Sequence, residues 1–214
     1  MRSCRRIYLD QFLFKYEHKL EGNILDVGGE KNSSKGLYKP YSNNKIKSWK
    51  FLNIRKETKP DFLISAEKIS ELKITFDGFL LCDVLEHLEN PEKVINAISS
   101  SLTPGAKGLI TIPFLVGEHS DPYDFQRFLP NKLEILLNKE NFEIIEFRYM
   151  GGLTASIFDL LLLDANYSLN KISSRVFRRF LYLIQRLIIK FSIGLTSRKQ
   201  KFTTGYGLVV RKKI

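Results

Sequence analysis

The sequence predicts one α/β domain: a mostly parallel, doubly wound sheet with an antiparallel last strand and a helical insert near the C-terminus. Three observations predict it. Short β-prone apolar runs alternate with helical patterns between residues 22 and 150; the first of those runs ends in a pair of glycines; and the last two strand-like runs are separated only by residues 152–200, whose pattern is helical. At 214 residues the chain has room for a single domain, 1–214, with one elaboration.

The elements follow in order. Arg5 to Leu20 reads as a first helix, because Asp10 and Gln11 interrupt its apolar stretch before it reaches the length of a signal peptide. Ile24 to Val27 is a short buried run that Gly28 and Gly29 stop, which is a strand ending in a tight turn. Trp49 to Ile54 forms a second strand, and Asp61 to Ile69 a short strand running into a turn. Phe76 to Cys82 is the next strand; Pro91 then opens a helix with Val94, Ile95, Ile98 and Leu102 on one face. Thr103, Pro104 and Gly105 end that helix, and Lys107 to Leu115 is expected to be the following strand. Pro130 to Asn141 reads as a helix and Phe142 to Met150 as a strand. The chain closes on Thr204 to Lys213, which is expected to pair with Phe142 to Met150 as an antiparallel hairpin at one sheet edge.

The net charge of +11 invites a nucleic-acid reading, so its distribution decides its meaning. Residues 1–164 hold 22 Lys/Arg and all 23 Asp/Glu, a net −1, whereas residues 165–214 hold 12 Lys/Arg and no acid. A neutral body with a basic tail argues against a nucleic-acid groove and for a local anionic partner such as a membrane surface or a phosphate-bearing substrate. Cys4 and Cys82, far apart and outside any CxxC spacing, form neither a disulfide framework nor a zinc set, so a reducing cytoplasm is expected and no metal site is assigned.

In an open α/β sheet the ligand crevice lies beyond the carboxyl ends of the strands, where strand order reverses. The turn after Val27 is the place to expect it: glycines there let backbone N–H groups approach a ligand, and Asp26 is placed to accept hydrogen bonds from a cationic amine.

GNILDVGG, FLNI, ISAEKI and FDGFLLCDVLEHLENPEKVINAISSSLTPGAKGLITIPF, in this order, resemble the successive motifs of class I S-adenosylmethionine-dependent methyltransferases. The resemblance covers Gly22 to Met150, with TGYGLVVRKK resembling the last antiparallel strand of that Rossmann-like fold. It implies S-adenosylmethionine as cofactor, with Asp26 and Gly28 at its methionine part, Gly29 helping the turn, and Asn53 at the ribose. It places Ser65, Ala66 and Glu67 beside the adenine, and Cys82 and Asp83 at the end of the strand lining the pocket. His87 reads as a structural or pocket-wall histidine. Three positions depart from the family pattern. Glu30 stands where a second glycine is expected and would crowd the cofactor; Asn53 replaces an acid and loses the charge-assisted bond; Ser65 replaces a common aspartate. These departures support a second reading, a methyltransferase-like protein without activity that serves in membrane-associated binding or assembly.

The loop GEHSDPYDFQRFLP, Gly117 to Pro130, follows the fifth strand at the expected active-site rim. It resembles a signature of methyltransferases from bacterial surface-polysaccharide pathways. That resemblance implies an O-methyltransferase with a small-molecule or lipid-linked saccharide acceptor. His119 or Asp124 is then the candidate to take a proton from the acceptor hydroxyl, and Arg127 the candidate to hold an anionic group or fix a carboxylate. The alternative is a self-satisfied loop in which Asp124 bonds Arg127.

From Lys171 to Leu195 the pattern is amphipathic. Arg175, Arg178, Arg179, Tyr182, Arg186 and Lys190 fall within an arc of about 120°, with an apolar side opposite and Ile189 as the exception. Such a helix is expected to lie in an anionic membrane interface without spanning it, or to cap the sheet or a homodimer partner.

Overall fold

The computed structural model describes residues 2–31, 36–38, 44–168, 175–191 and 193–214, with the backbone alone for 164–168 and 175–179. Eight strands form one sheet: β1 (Gly22–Val27), β2 (Ile46–Asn53), β3 (Phe62–Leu63), β4 (Phe76–Cys82), β5 (Leu102–Pro113), β6 (Phe142–Met150), β7 (Leu195–Thr196) and β8 (Gly205–Lys212). Their order is β3-β2-β1-β4-β5-β8-β6-β7. The pairs β1–β2, β1–β4, β2–β3 and β4–β5 are parallel, and β5–β8, β6–β8 and β6–β7 antiparallel. Strand order reverses between β1 and β4, so their carboxyl ends, at Val27 and Cys82, open the crevice that this topology provides.

Two apolar layers sandwich the sheet. On one face, helices α2 (Pro91–Ser100) and α3 (Pro130–Lys139) bury Val94, Ile95, Ile98, Leu133, Leu136 and Leu137 against Leu25, Phe79, Leu81 and Ile110. On the other, α1 (Cys4–Tyr16) and α4 (Leu153–Ser168) bury Tyr8, Leu9, Phe12, Ala155 and Phe158 against Ile24, Leu80, Leu109 and Val209. Successive strand residues supply the two faces in turn, as the pleat requires. Each fully buried large apolar side chain contributes roughly 1.5–3 kcal/mol, so these layers hold the crevice walls in place.

The structure moves three expected boundaries. The first helix ends at Tyr16, where Glu17–Lys19 turn into a 3-10 segment. β5 begins at Leu102 rather than Lys107, because a register shift opposite Phe76 and Gly78 absorbs the extra residues, with Gly105 at φ 79°. The closing strands are antiparallel, but β8 lies inside the sheet between β5 and β6, not in an edge hairpin. The reason is burial: β8 is buried from Gly205 to Val210, apolar on both faces, whereas β6 is partly exposed along most of its length. The insert of residues 152–200 supplies α4, α5 (Arg175–Phe191) and β7.

Candidate active site

Beyond the carboxyl ends of β1 and β4 lies a cavity of about 400 Å³. Its walls come from the turn after β1 (Gly28, Gly29, Glu30), the end of β4 (Cys82, Asp83), α1 (Arg6, Leu9) and the loop after β5 (His119, Asp121). A second lobe of about 170 Å³ continues it toward β2, lined by Asn53, Ile54, Ser65, Ala66 and Leu88. Gly28, Arg55, Asp83, His87 and Asp121 border both lobes, making one bent trough. The combined size suits a nucleoside-sized ligand in the ordinary range of roughly 300–1,000 Å³.

The turn after β1 is built for close approach. Gly28 sits at φ 80°, and its N–H donates to the Leu52 carbonyl at 2.8 Å; a Cβ there would come within 2.6 Å of Val84 Cγ2. A Cβ on Gly29 would come within 2.4 Å of the Asp26 carboxylate. Gly28 therefore needs glycine for its backbone, and a side chain at Gly29 would displace the Asp26 carboxylate. Asp26 is buried, and the Trp49 indole donates to Oδ2 at 3.1 Å. Burial raises its carboxyl to about 7, against the single favourable hydrogen bond from Trp49. Among the described residues no cation contributes to holding this carboxylate ionised, although it lines a cavity that Arg6 and Arg55 also border.

The end of β4 is held from two sides. Asp83 adopts φ 52°, a conformation unusual for a side chain other than glycine. Its Oδ1 accepts from Thr111 Oγ1 at 2.8 Å and from the buried Arg5 guanidinium, while its N–H donates to the Thr111 carbonyl at 2.9 Å. Cys82 lines the cavity, and burial raises its thiol far above the ordinary range, which suits a neutral wall residue.

Asn53, Ser65 and Ala66 line the smaller lobe, and Glu67 does not. Asn53 does line the trough, but its amide is engaged: Nδ2 donates to the Gly28 and Gly29 carbonyls at 3.1 and 3.2 Å, and Oδ1 accepts from the Arg55 N–H at 3.0 Å. An amide has the N–H groups for that bond and a carboxylate does not, so Asn53 fixes the glycine turn. Ser65 and Ala66 line the smaller lobe as expected, with Ser65 Oγ accepting from the Glu67 N–H at 3.3 Å. Glu67 itself is exposed and contributes no wall.

Glu30 does face the cavity, yet its charge is met. Arg55 reaches across the trough and pairs with Glu30 through Nη2 and with Asp121 through Nη1 at 2.7 Å. The guanidinium thus ties the turn after β1 to the loop after β5 and cancels the carboxylate that would repel a carboxylate ligand.

In the loop after β5, two of the expected catalytic residues pair with each other. Asp124 pairs with Arg127 through both carboxylate oxygens, one at 2.7 Å, and accepts the His119 N–H at 2.9 Å. Arg127 holds its carboxyl down at about 2, so Asp124 stays ionised and paired within the loop. Arg127 also donates to the carbonyls of Gln126 and Gly117, at 3.0 and 3.3 Å. Asp124 and Arg127 are therefore loop anchors rather than cavity walls. His119 does face the cavity, half exposed, and the adjacent Glu86 carboxylate lifts its imidazole above the ordinary histidine value.

Sequence reasoning missed Arg6, Tyr38 and Arg55, which line the trough, and Arg5, which braces Asp83 from behind; all come from distant segments and carry no local motif. Glu86, beside His87 in LEHL, reads from sequence as a solvated or capping carboxylate, and the structure buries it wholly.

No family model matches the sequence, and no curated protein does. Solved structures do match the fold. An S-adenosylmethionine-dependent methyltransferase from Archaeoglobus fulgidus superposes with a TM-score of 0.58 at 17% identity, over 97% of this chain and 94% of its own. One from Clostridium acetobutylicum gives 0.56 at 12% identity, over 98% and 92%. The cyclase SpnF gives 0.56 at 16% identity, over 96% and 81%. What this chain shares with all three is the architecture: it has the fold of the S-adenosylmethionine-dependent methyltransferases.

Proposed function

We propose that this protein binds S-adenosylmethionine in the bent trough and transfers its methyl group to an oxygen of a small or saccharide acceptor. The carrying observation is the fit between the trough and an adenosyl sulfonium. Two closely packed glycines, a buried Asp26 carboxylate that no cation among the described residues holds ionised, and a smaller apolar lobe at Ser65, Ala66 and Leu88 offer places for a methionine backbone, its ammonium and an adenine, respectively. The cofactor supplies an activated methyl whose transfer is an in-line displacement, so the protein's task is chiefly positioning. Asp26 holds the ammonium and Arg55 neutralises Glu30. Asn53 keeps the turn rigid. Arg5 and Thr111 set the angle of Asp83 at the trough's bend. The acceptor approaches from the side of His119, where His87 and His119 line the cleft beside the buried Glu86.

The test is calorimetry with S-adenosylmethionine and S-adenosylhomocysteine. One site per chain with micromolar affinity is expected for both; absence of binding at millimolar ligand would favour the reading as an inactive, binding or assembly protein. The saccharide acceptor rests on the loop from Gly117 to Pro130 and its resemblance alone.

For the insert, the favoured partner is an anionic membrane surface. α5 packs Ile184, Ile188 and Ile189 on the core and buries Gln185 against the Arg2 carbonyl, which accounts for Ile189 falling outside the outer apolar face. Phe180, Leu183 and Leu187 remain exposed, beside exposed Leu160, Leu161 and Leu163 on α4. Arg186 and Lys190 run alongside. Residues 171–174 and 192, and the side chains of Arg175, Arg178 and Arg179, lie outside the described residues. No helix among the described residues is long and apolar enough to cross a membrane. An exposed apolar strip edged by cations matches an interfacial helix. Vesicles containing anionic lipid are expected to sediment the protein, and Leu183→Ser with Leu187→Ser to reduce this severalfold without unfolding it. A dimer in solution that these substitutions dissociate, with no lipid binding, would instead assign the strip to a second copy.

A further inference from the structure

Outside the trough's cofactor end, Glu86 presents an unsolved electrostatic problem. It is wholly buried in the 3-10 turn Leu85–His87, and neither carboxylate oxygen has a hydrogen-bond partner among the described residues. A buried, unpartnered carboxylate is costly unless a cation meets it. Its nearest cationic candidates are two imidazoles: His87 Nε2 at 3.6 Å and His119 Nε2 at 3.8 Å from Oε1, both too far for a hydrogen bond.

The orientation of those imidazoles is set by backbone. His87 Nδ1 lies against the Tyr123 carbonyl, and His119 Nδ1 lies 3.1 Å from the Gly117 carbonyl. A carbonyl oxygen only accepts, so in each ring Nδ1 carries a proton and Nε2 is the nitrogen left facing Glu86, the one that binds an ion in its unprotonated form. Three ligand atoms thus lie within 4.8 Å of one another. Ligands about 2.0–2.2 Å from one shared ion stand roughly 3–4 Å apart, which is the spacing seen from Glu86 to each histidine. Backbone carbonyls that fix the tautomer through the far ring nitrogen are the usual outer support of metal-bound histidine.

We propose that Glu86, His87 and His119 bind a divalent first-row transition ion, of the zinc, manganese, iron or cobalt class, at the acceptor end of the cleft. Two imidazoles and one carboxylate select such an ion over calcium or magnesium, which prefer oxygen. Three protein ligands leave positions open, and both histidines border the cavity, so the open side faces the acceptor. This deepens the methyl-transfer reading and rests on it for its role. An acceptor hydroxyl coordinated there loses its proton to water more readily; its oxygen then bonds the methyl carbon as the carbon–sulfur bond breaks, leaving a neutral thioether. Asp124, through the His119 N–H and its pair with Arg127, holds the loop that delivers the third ligand.

The test uses untagged, chelator-stripped full-length protein. Zn2+ and Co2+ titrations, read by calorimetry and by the visible absorption of bound Co2+, are expected to give one ion per chain. Glu86→Gln and His119→Ala should each weaken binding by at least about tenfold; His119 lies in a half-exposed loop, so its variant reports even where the buried Glu86→Gln change disturbs folding. No stoichiometric ion in the wild-type protein, or equal binding by a folded His119→Ala variant, would overturn the site. Titrating S-adenosylmethionine into the same stripped protein separates the two ideas, because cofactor binding there stands or falls without the metal.

Discussion

Asp26→Asn is expected to make the protein more stable and a poorer cofactor binder at the same time. Asp26 in the folded chain holds its proton up to about pH 7, well above the ordinary value of 3.8. Its folded-state pKa is raised, so its stabilising contribution is fully present below about pH 4 and is lost as pH rises through about 7. At pH 8 the buried charge therefore weakens the ligand-free fold, and the amide removes that penalty, with an expected gain of roughly 2–4 kcal/mol. Trp49 keeps its partner, because the amide oxygen still accepts.

Cofactor binding moves the opposite way. A hydrogen bond between charged groups contributes roughly 1.5–3 kcal/mol, so Asp26→Asn should lose about 10- to 100-fold in S-adenosylmethionine affinity at pH 8. Wild-type affinity should climb as pH rises through about 7 and then level off, while the variant's profile stays flat over that range. Calorimetry at pH 6 and 8 and denaturant titration at pH 8 measure both halves. Equal cofactor affinity in the two proteins at pH 8 would remove Asp26 from the ligand-binding role.

Arg127→Ala is expected to cost about 2 kcal/mol, between the values for exposed and buried ion pairs. For a chain of this size that lowers the melting temperature by roughly 4–8 °C. The reason is what it leaves behind: Asp124, with its side chain only 3% exposed, keeps its charge and loses its bidentate partner. The folded-state pKa of Asp124 is depressed to about 2, so the pair's contribution is complete above the ordinary carboxylate value near 4 and is lost as pH falls toward about 2. Wild type and variant should therefore converge in stability in strong acid. Differential scanning measurements from pH 7 to pH 3 test this; a constant gap across that range would show that the pair contributes nothing through its charge. Because His119 hangs from Asp124, methyl transfer should fall further than the stability loss alone explains.

The strand that ends at Val27, the glycine pair and the helix opened by Pro91 were legible because each is a local signal: a buried apolar run, a turn that excludes side chains, a proline at a helix start. The place of β8 was not. Its apolar run reads as a strand from sequence, but its insertion between β5 and β6 depends on which neighbours bury both of its faces. Asn53 shows the same limit within the site. The residue type announced a lost charge, whereas the fold turned its two N–H groups onto consecutive carbonyls. Asp124 and Arg127 were legible as a pair three residues apart, and only their geometry showed that pairing holds both away from the cleft.

By itself the sequence determined the alternating α/β plan, the crevice beside Gly28 and Gly29, and the concentration of positive charge after residue 164, because periodicity, turn chemistry and charge are properties of neighbours along the chain. Tertiary structure alone decided that Arg55 would span the trough to Glu30 and Asp121, that Arg5 would brace Asp83, and that His119 would meet Glu86 and His87. Those contacts join residues far apart in the chain, and their energies exist only once burial has stripped the water from between them.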